Sequence, residues 1–215
     1  MDTQVVRLPF LRLRRIAELA VLCTALVFAT GPHGGANAQN KAKFVAGQIL
    51  VASEKMTDPR FTKTVVFVIR HDQRGAFGLI VNRPLGDAPI DAILKAYAAR
   101  PTGTDLKVQG YNGGPVEPQQ VNVLHTPDYR GTGTQRIGID AALTDPKVAL
   151  PAIAIGKGPR LAIVTFGYTG WGGGQLEAEI TDGAWQVIPP DTKLLFEVPN
   201  EAKWETAYSR RGVDL

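Results

Sequence analysis

Two histidines are the side chains of this sequence best suited to acid–base chemistry near neutral pH. His71 follows the apolar run at 64–69, and His125 ends the apolar run at 121–125. Either ring could serve a hydrolase-like enzyme as acid or base, with glycine N–H groups holding an oxyanion. The alternative is structural: His71 shapes a tight turn with Asp72, and His125 is hydrogen-bonded at a strand end. The structural role is favoured at both positions, and both histidines stand as catalytic candidates.

A second candidate site lies at Asn82 and Arg83, which follow the apolar strand predicted at 77–81. This strand and the one at 64–69 are joined by a short glycine-containing turn, which predicts an antiparallel hairpin. His71 and the Asn82-Arg83 pair then lie at opposite ends of that hairpin. An amide and a guanidinium could bind an anionic ligand there, and the alternative is that Arg83 is an ordinary surface cation.

Gly113 and Gly114 precede Pro115 and allow a sharp turn of the backbone. N–H groups exposed in such a turn could meet an anion. The plainer interpretation, a turn between two strands, is favoured.

The densest cluster of glycine and aromatic residues, at 167–174, is predicted to be a loop between a buried strand at 160–166 and a helix beginning near Gln175. N–H groups at a helix start attract phosphate or carboxylate. The lysine of a phosphate loop and the third glycine of a dinucleotide loop are both absent at Gln175, so a nucleotide site is disfavoured. The aromatic residues are a ligand platform, a partner-binding patch or part of the core. The binding candidates in this segment are Tyr168, Gly170, Trp171, Gly174, Gln175 and Glu179.

Several common catalytic motifs are missing from the sequence. It contains no G-x-S-x-G, no H-E-x-x-H and no acidic calcium loop. The single cysteine, Cys23, excludes an internal disulfide framework and a cysteine-rich zinc site. We therefore expect no cofactor and no bound metal.

Residues 1–38 have the three parts of a secretory signal peptide: a basic start, a short apolar run and a small-x-small triplet. Cleavage is expected between Ala38 and Gln39, leaving a short polar leader at 39–43. The apolar run is too short for a stable membrane anchor. The leader contains four arginines and two carboxylates, so half of the formal net charge of +4 belongs to it. A periplasmic or secreted protein is predicted, and the alternative is a cytosolic protein that begins near residue 43.

The pattern of apolar residues predicts one α+β domain over 44–215. A first helix is expected to be capped by Asp87 and to bury Ile90, Ile93, Leu94 and Tyr97, which share one face. A helix that opens at Asp145-Pro146 should be kinked or split at Pro151. A last helix should be capped by Asn200. The remaining predicted strands are 48–52, 136–139, 185–188 and 194–196.

Several segments of this chain together resemble the AlgH/YqgE family of bacterial proteins. They include 47–52, 58–61, His71 with 75–84, 113–116, Leu124-His125, 167–171, 174–179, Trp204 and 212–214. The resemblance covers residues 44–215. It implies a single α+β domain whose strongly bent, barrel-like, mainly antiparallel sheet is flanked by helices. The family has no established catalytic residues to carry over, its members are taken to be cytosolic, and their corresponding helix has no break like the one expected at Pro151.

Three functional hypotheses follow. The first is a non-enzymatic binding or regulatory domain that recognises an unknown protein or a small anionic ligand through the glycine-rich and Arg83 segments. The alternative is a hydrolase-like enzyme that uses His71 or His125. The third is a cytosolic transcription regulator, which is disfavoured because the domain has no basic cluster for nucleic acid.

Overall fold

The structure is a computed structural model that describes residues 44–210. The predicted leader, its cleavage site at Ala38 and Gln39, and residues 211–215 lie outside the described residues. The described strands are β1 (Ile49–Ala52), β2 (Val65–Asp72), β3 (Gly75–Ile80), β4 (Pro84–Pro89), β5 (Lys107–Asn112), β6 (Val116–His125), β7 (Gln135–Ile137), β8 (Ala141–Thr144), β9 (Ala162–Gly172) and β10 (Trp185–Ile188). The described helices are α1 (Ile90–Ala96), α2 (Pro146–Ala154), α3 (Gln175–Thr181), α4 (Thr192–Phe196) and α5 (Asn200–Tyr208).

The sheet is organised around β9, which pairs with three other strands. The first half of β9 runs antiparallel to β6 and parallel to β5, and its second half runs antiparallel to β3. The main path of the sheet is β10-β1-β2-β3-β9-β6-β8-β7, and β4 joins through β5. The sheet curls into a half-barrel with helices around it. The α+β class and the bent, mainly antiparallel sheet are therefore confirmed.

The loop predicted at 167–174 is wrong for most of its length, because β9 continues through Gly167 to Gly172. Gly167 has a positive φ of 73°, which bends the strand. A Cβ atom on Gly113 would lie 2.3 Å from the carbonyl oxygen of Gly167, and one on Gly114 would lie 2.2 Å from the Tyr168 backbone. The glycines therefore allow two backbone segments to cross in direct contact. Composition alone cannot distinguish this role from that of a flexible loop.

Strand β2 is buried on both faces, as its continuous apolar run predicts. Val65, Phe67 and Ile69 belong to a cluster that packs against α4 and α5. Val66 and Val68 belong to a second cluster, which includes residues of α3 and β10. A third cluster packs α1 and α2 on the β6 and β9 side of the sheet.

The predicted apolar face of the first helix is confirmed for three of its four residues; Tyr97 follows the helix and is half-buried, and the predicted cap is wrong. Ile90, Ile93 and Leu94 are buried. Asp87 lies in β4, and the helix begins after Pro89 without a side-chain cap. The proline fixes an extended backbone up to the helix start, so the chain before it pairs with β5 instead of capping the helix.

Three other expectations about helices are also wrong. Helix α2 is not split at Pro151. It continues from Pro146 to Ala154, because the burial of Ala149 and Leu150 favours the helix over the loss of the one hydrogen bond that a proline removes. The apolar run at 194–196 is helical, because Asp191 accepts hydrogen bonds from the N–H groups of the first turn. Asn200 begins α5 without capping it, and its side-chain amide donates to the Tyr111 hydroxyl.

Helix α5 is fastened to the sheet by a buried lysine. Lys203 is 2% exposed, and its Nζ donates to the carbonyl oxygens of Val81 at 3.1 Å and Leu195 at 2.7 Å. Burial lowers the pKa of Lys203 to about 8. The charge is thus held by carbonyl dipoles, and among residues 44–210 it makes no ion pair.

An alanine substitution tests whether the glycine crossing depends on the close contact of its two backbone segments. Gly113→Ala should lower the free energy of unfolding by about 3 kcal/mol or more, because the new methyl group meets a backbone oxygen. Gly170→Ala is the matched control, since its Cβ would make an ordinary 3.4 Å contact with the Tyr168 ring. Urea unfolding measures both, and equal stability of the two variants would contradict the crossing.

Lys203 should make stability depend on alkaline pH. Its pKa is lower in the folded chain than the usual 10.5, so between about pH 8 and 10.5 the unfolded chain binds more protons. The free energy of unfolding should therefore rise with pH across that window, by up to about 3 kcal/mol relative to a Lys203→Met variant. Urea unfolding at several pH values, with the exposed Lys147→Met as control, tests this expectation. A constant difference between wild type and Lys203→Met would contradict it.

Candidate functional site

Two adjoining clefts open on the surface of the domain. The first has a volume of about 390 Å³. It is lined by Lys55, Met56, Thr57, Asp58, Arg60, Phe61, Pro115, Val116, Gly170, Trp171, Gln175, Glu179 and Ala184. The second, of about 470 Å³, is lined by Pro59, Arg60, Ile80, Arg83, Leu85, Asn112, Gly114, Pro115, Pro118 and Phe166. Arg60 and Pro115 line both clefts, and we call the pair of clefts the groove.

The floor of the first cleft is built around the carboxylate of Glu179. The indole N–H groups of Trp171 and Trp185 donate to its Oε2 at 2.9 and 2.7 Å, and the side-chain amide of Gln175 donates to its Oε1 at 2.9 Å. Gln175 in turn accepts from the N–H of Gly172 at 3.1 Å. Hydrogen bonds to a charged group are among the stronger ones in proteins, so this set fixes α3 against the ends of β9 and β10.

The outer wall of the first cleft is the turn at 57–61. Arg60 forms a two-pronged ion pair with Asp58, with a shortest N···O distance of 2.6 Å. The hydrogen bonds from Arg60 hold the pKa of Asp58 below its usual range. Next to this pair, the Phe61 ring packs edge-on against Trp185 with centroids 5.8 Å apart. The exposed guanidinium is thereby held at the boundary between the two clefts.

The second cleft combines a cation with apolar walls. Arg83 leaves the end of the β2–β3 hairpin, and its guanidinium donates to the Thr62 carbonyl oxygen. Leu85, on the outermost strand β4, is 63% exposed, and Phe166 of β9 lies against the same cleft. No Asp or Glu is among the residues that line this cleft.

The groove contains half of the twelve candidates named from the sequence. They are Arg83, Gly114, Gly170, Trp171, Gln175 and Glu179. The N–H groups of the Gly113-Gly114 turn do not point to a ligand, because Gly113 donates to the Phe166 carbonyl and Gly114 to the Asn112 side chain. Gly113 belongs to the backbone crossing instead.

Three other candidates have their own partners outside the groove lining. Asn82 accepts from the N–H of Val65 and donates to the carbonyl of Lys63, so it ties the open end of the hairpin together. Tyr168 packs on Phe77, with ring centroids 4.7 Å apart. Gly174 precedes α3 in a left-handed conformation, and that helix has only seven residues.

His125 is enclosed in a chain of hydrogen bonds. Its side chain is fully buried, Nδ1 donates to the Thr126 carbonyl at 2.7 Å, and Nε2 lies 2.8 Å from the Thr144 hydroxyl. The Thr144 hydroxyl therefore donates to Nε2 and accepts from Thr134. Burial lowers the pKa of His125. This arrangement matches the structural alternative considered for it.

His71 is also buried, and it fastens the start of the described chain. Its Nδ1 accepts from the N–H of Val45 at 3.1 Å, so the neutral ring carries its proton on Nε2. That nitrogen lies 3.2 Å from Glu177 Oε1, without the alignment of a hydrogen bond. The ring of Phe44 covers the site edge-on. His71 and His125 thus have separate sets of neighbours, and neither lines the groove.

The groove also contains residues that the sequence pattern did not single out. Lys55, Arg60, Leu85, Pro115 and Phe166 were missed as site residues. The Asp-x-Arg spacing at Asp58 and Arg60, around Pro59, is a sequence signal for an internally paired cation.

Two further features bear on function. Among residues 44–210, no group of three or more His, Cys, Asp or Glu is arranged to hold a metal ion. In the same range, no helix is long and apolar enough to cross a membrane.

Removal of the Glu179 carboxylate should destabilise the floor of the first cleft. Glu179→Ala leaves two buried indole N–H groups without their acceptor, which should cost about 3 kcal/mol of unfolding free energy. Glu179→Gln keeps one acceptor oxygen in place and should cost clearly less. Urea unfolding followed by tryptophan fluorescence measures both, and equal losses would show that the carboxylate does not organise this floor.

Comparison with known proteins places this geometry in a family. The AlgH-like family (DUF179) matches residues 49–215. A UPF0301 protein of Rhodospirillum rubrum is 39% identical over 178 residues, which covers 82% of this chain and 92% of that protein. The UPF0301 protein AlgH of Pseudomonas aeruginosa is 36% identical over 179 residues, covering 82% of this chain and 94% of that one.

Solved structures show the same fold. The solution structure of AlgH from Pseudomonas aeruginosa matches with a TM-score of 0.67 at 33% identity, covering 87% of this chain and 94% of that chain. A crystal structure of a Corynebacterium diphtheriae protein matches with a TM-score of 0.62 at 21% identity, covering 79% of this chain and 88% of that one, and so supports the fold alone. The resemblance noted in the sequence is confirmed: the chain belongs to the AlgH-like family.

Proposed function

We propose that this domain is a non-enzymatic binding domain and that the groove is its recognition surface. The observation that carries the proposal is the junction of the two clefts at Arg60 and Pro115. The groove presents cations held by the fold beside apolar side chains that remain exposed. Such a combination provides both affinity and orientation for a partner.

The positions of the acid–base candidates support binding over catalysis. Both ring nitrogens of His125 have partners in the protein, and His71 faces Glu177 and Val45. The buried amine of Lys203 donates to two carbonyl groups. The groups that do line the groove, such as Arg60 and Glu179, are engaged in fixed pairs that suit recognition.

The hydrogen bonds among the groove residues support the proposal as well. Gln175, Trp171 and Trp185 hold Glu179, and the Arg60–Asp58 pair holds the wall. A surface that is ordered before binding loses less entropy when a partner arrives. The domain is thus suited to act as a regulatory adaptor whose effect depends on its partner.

Quantitative affinity capture from the native host tests the proposal. The bait is the full-length gene product with a C-terminal tag, and its intact mass reports whether residues 1–38 are removed and in which fraction the bait is found. We expect a partner that is depleted at least tenfold with an Arg60→Gln/Arg83→Gln bait and retained with an Arg130→Gln/Arg136→Gln bait. The control arginines are exposed and do not line the groove.

The purified partner and domain must then reproduce that ranking in a titration. A partner that binds both double variants equally would show that another surface is used. Turnover of a substrate that disappears with His71→Ala would replace the proposal with the hydrolase alternative.

A further inference from the structure

We propose that the occupant of the groove is an extended acidic segment of a partner protein, with carboxylates at Arg60 and Arg83 and an apolar side chain between Leu85 and Phe166. This inference rests on the proposed binding function and adds the chemistry of the partner. Both clefts take part, because Arg60 and Pro115 form their common boundary.

The charges of the groove favour an anion. Within residues 44–210, the side chain of Arg83 makes one hydrogen bond, to the Thr62 carbonyl, and no ion pair, so most of its guanidinium donors remain for a carboxylate. Arg60 uses Nε and Nη2 on Asp58, which leaves Nη1. Lys55, which also lines the first cleft, makes no ion pair within the same residues.

The acidic groups of the groove cancel only part of this charge, because its lining has three cations, Lys55, Arg60 and Arg83, and two carboxylates, Asp58 and Glu179. Asp58 already accepts from Arg60, and Glu179 accepts from two indoles and an amide. The second cleft has two arginines and no acidic residue in its lining. A carboxylate placed there meets the donors that Arg83 leaves free, whereas Arg60 is shared with Asp58.

The apolar walls require more than a simple anion. Ile80, Leu85, Phe166 and the three prolines surround the arginines of the second cleft. Leu85, at 63% exposed, gains the most from being covered. An aliphatic or aromatic side chain next to an acidic residue satisfies both parts of this cleft.

The prolines also bear on how the partner binds. Pro59, Pro115 and Pro118 have no N–H group, so these parts of the wall cannot donate to the backbone of an added strand. At these three positions recognition therefore comes from side chains. An extended segment presents its side chains alternately and at regular spacing, which suits two clefts that meet at one arginine.

A nucleic acid is disfavoured by the same contents. Phosphate backbones are bound by rows of cations, whereas the second cleft has two arginines among largely apolar residues. A small carboxylate would occupy the second cleft and leave the first unused. Both alternatives become outcomes of the test.

Selection from a random twelve-residue phage library on the immobilised full-length protein tests the inference. Phage that bind an Arg60→Glu/Arg83→Glu variant are removed beforehand. We expect the recovered peptides to be enriched in Asp or Glu next to an apolar residue. A synthetic peptide of the recovered sequence should bind with a Kd that weakens at least tenfold in Arg60→Gln/Arg83→Gln and changes less than twofold in the exposed pair Arg130→Gln/Arg136→Gln.

Three controls separate the possible outcomes. Circular dichroism verifies that every variant folds, and Leu85→Ser tests the apolar contact independently of charge. Replacement of Glu by Gln in the peptide should cause the same tenfold loss as the arginine variants. Binding by fluorescence anisotropy should also weaken as NaCl increases, because exposed charges are screened.

Several results would overturn the inference. Recovered peptides without acidic enrichment would show that carboxylates are not recognised. Groove-dependent binding of a labelled dT12 oligonucleotide in place of the peptides would assign the surface to nucleic acid, and equal binding of free N-acetylglutamate would assign it to a small anion. If affinity capture finds a groove-dependent partner whose binding segment is neutral, the binding function stands and this inference fails.

Discussion

The close crossing of two backbones at Gly113, Gly114 and Gly167 is the constraint on which the rest of the fold depends. Because no side chain separates the two backbone segments there, β9 can bend and still pair with β3, β5 and β6. A larger residue would push the two halves of the sheet apart. The second cleft lies beside this crossing, with Gly114 and Phe166 in its lining, so the shape of the groove follows from the same contact.

Many polar groups near the groove already have hydrogen-bond partners within the protein. Glu179 sits beneath the first cleft, yet its oxygens are already used by Trp171, Trp185 and Gln175. The carboxylate therefore serves as a structural acceptor, and Lys55 and Arg83 are the cations of the groove that make no ion pair among the described residues. The cost of placing a charge near the core is offset by donors that would otherwise be buried without partners.

The sequence predicts this fold best where the periodicity is strong. The continuous apolar run of β2 and the spaced Ile90, Ile93 and Leu94 of α1 lead directly to the observed elements. Short segments are harder, because 194–196 is equally apolar in a strand or a helix and only the cap at Asp191 decides between them. Glycines are ambiguous for a similar reason. A glycine is typical both of a close backbone contact and of a flexible loop, so the segment 167–172 is predicted as a loop although it is a strand.

The candidate site is predicted only in part, because it is assembled from segments far apart in the chain. Trp171 and Glu179 are recognisable as neighbours on adjoining elements, whereas Arg60 and Arg83 meet the same groove only after β2 and β3 have paired. Nothing local marks Leu85 as exposed or Phe166 as part of a cleft. Such residues become visible when the sheet has brought them together.

Lys203 gives helix α5 a property that reaches beyond packing. In the docked helix the amine loses its proton near pH 8, whereas in water it keeps the proton to about 10.5. Between these pH values, undocking of α5 from the sheet is accompanied by uptake of a proton. Docking of α5 is in this way coupled to proton release, through a side chain that has no acidic counterpart among the residues described.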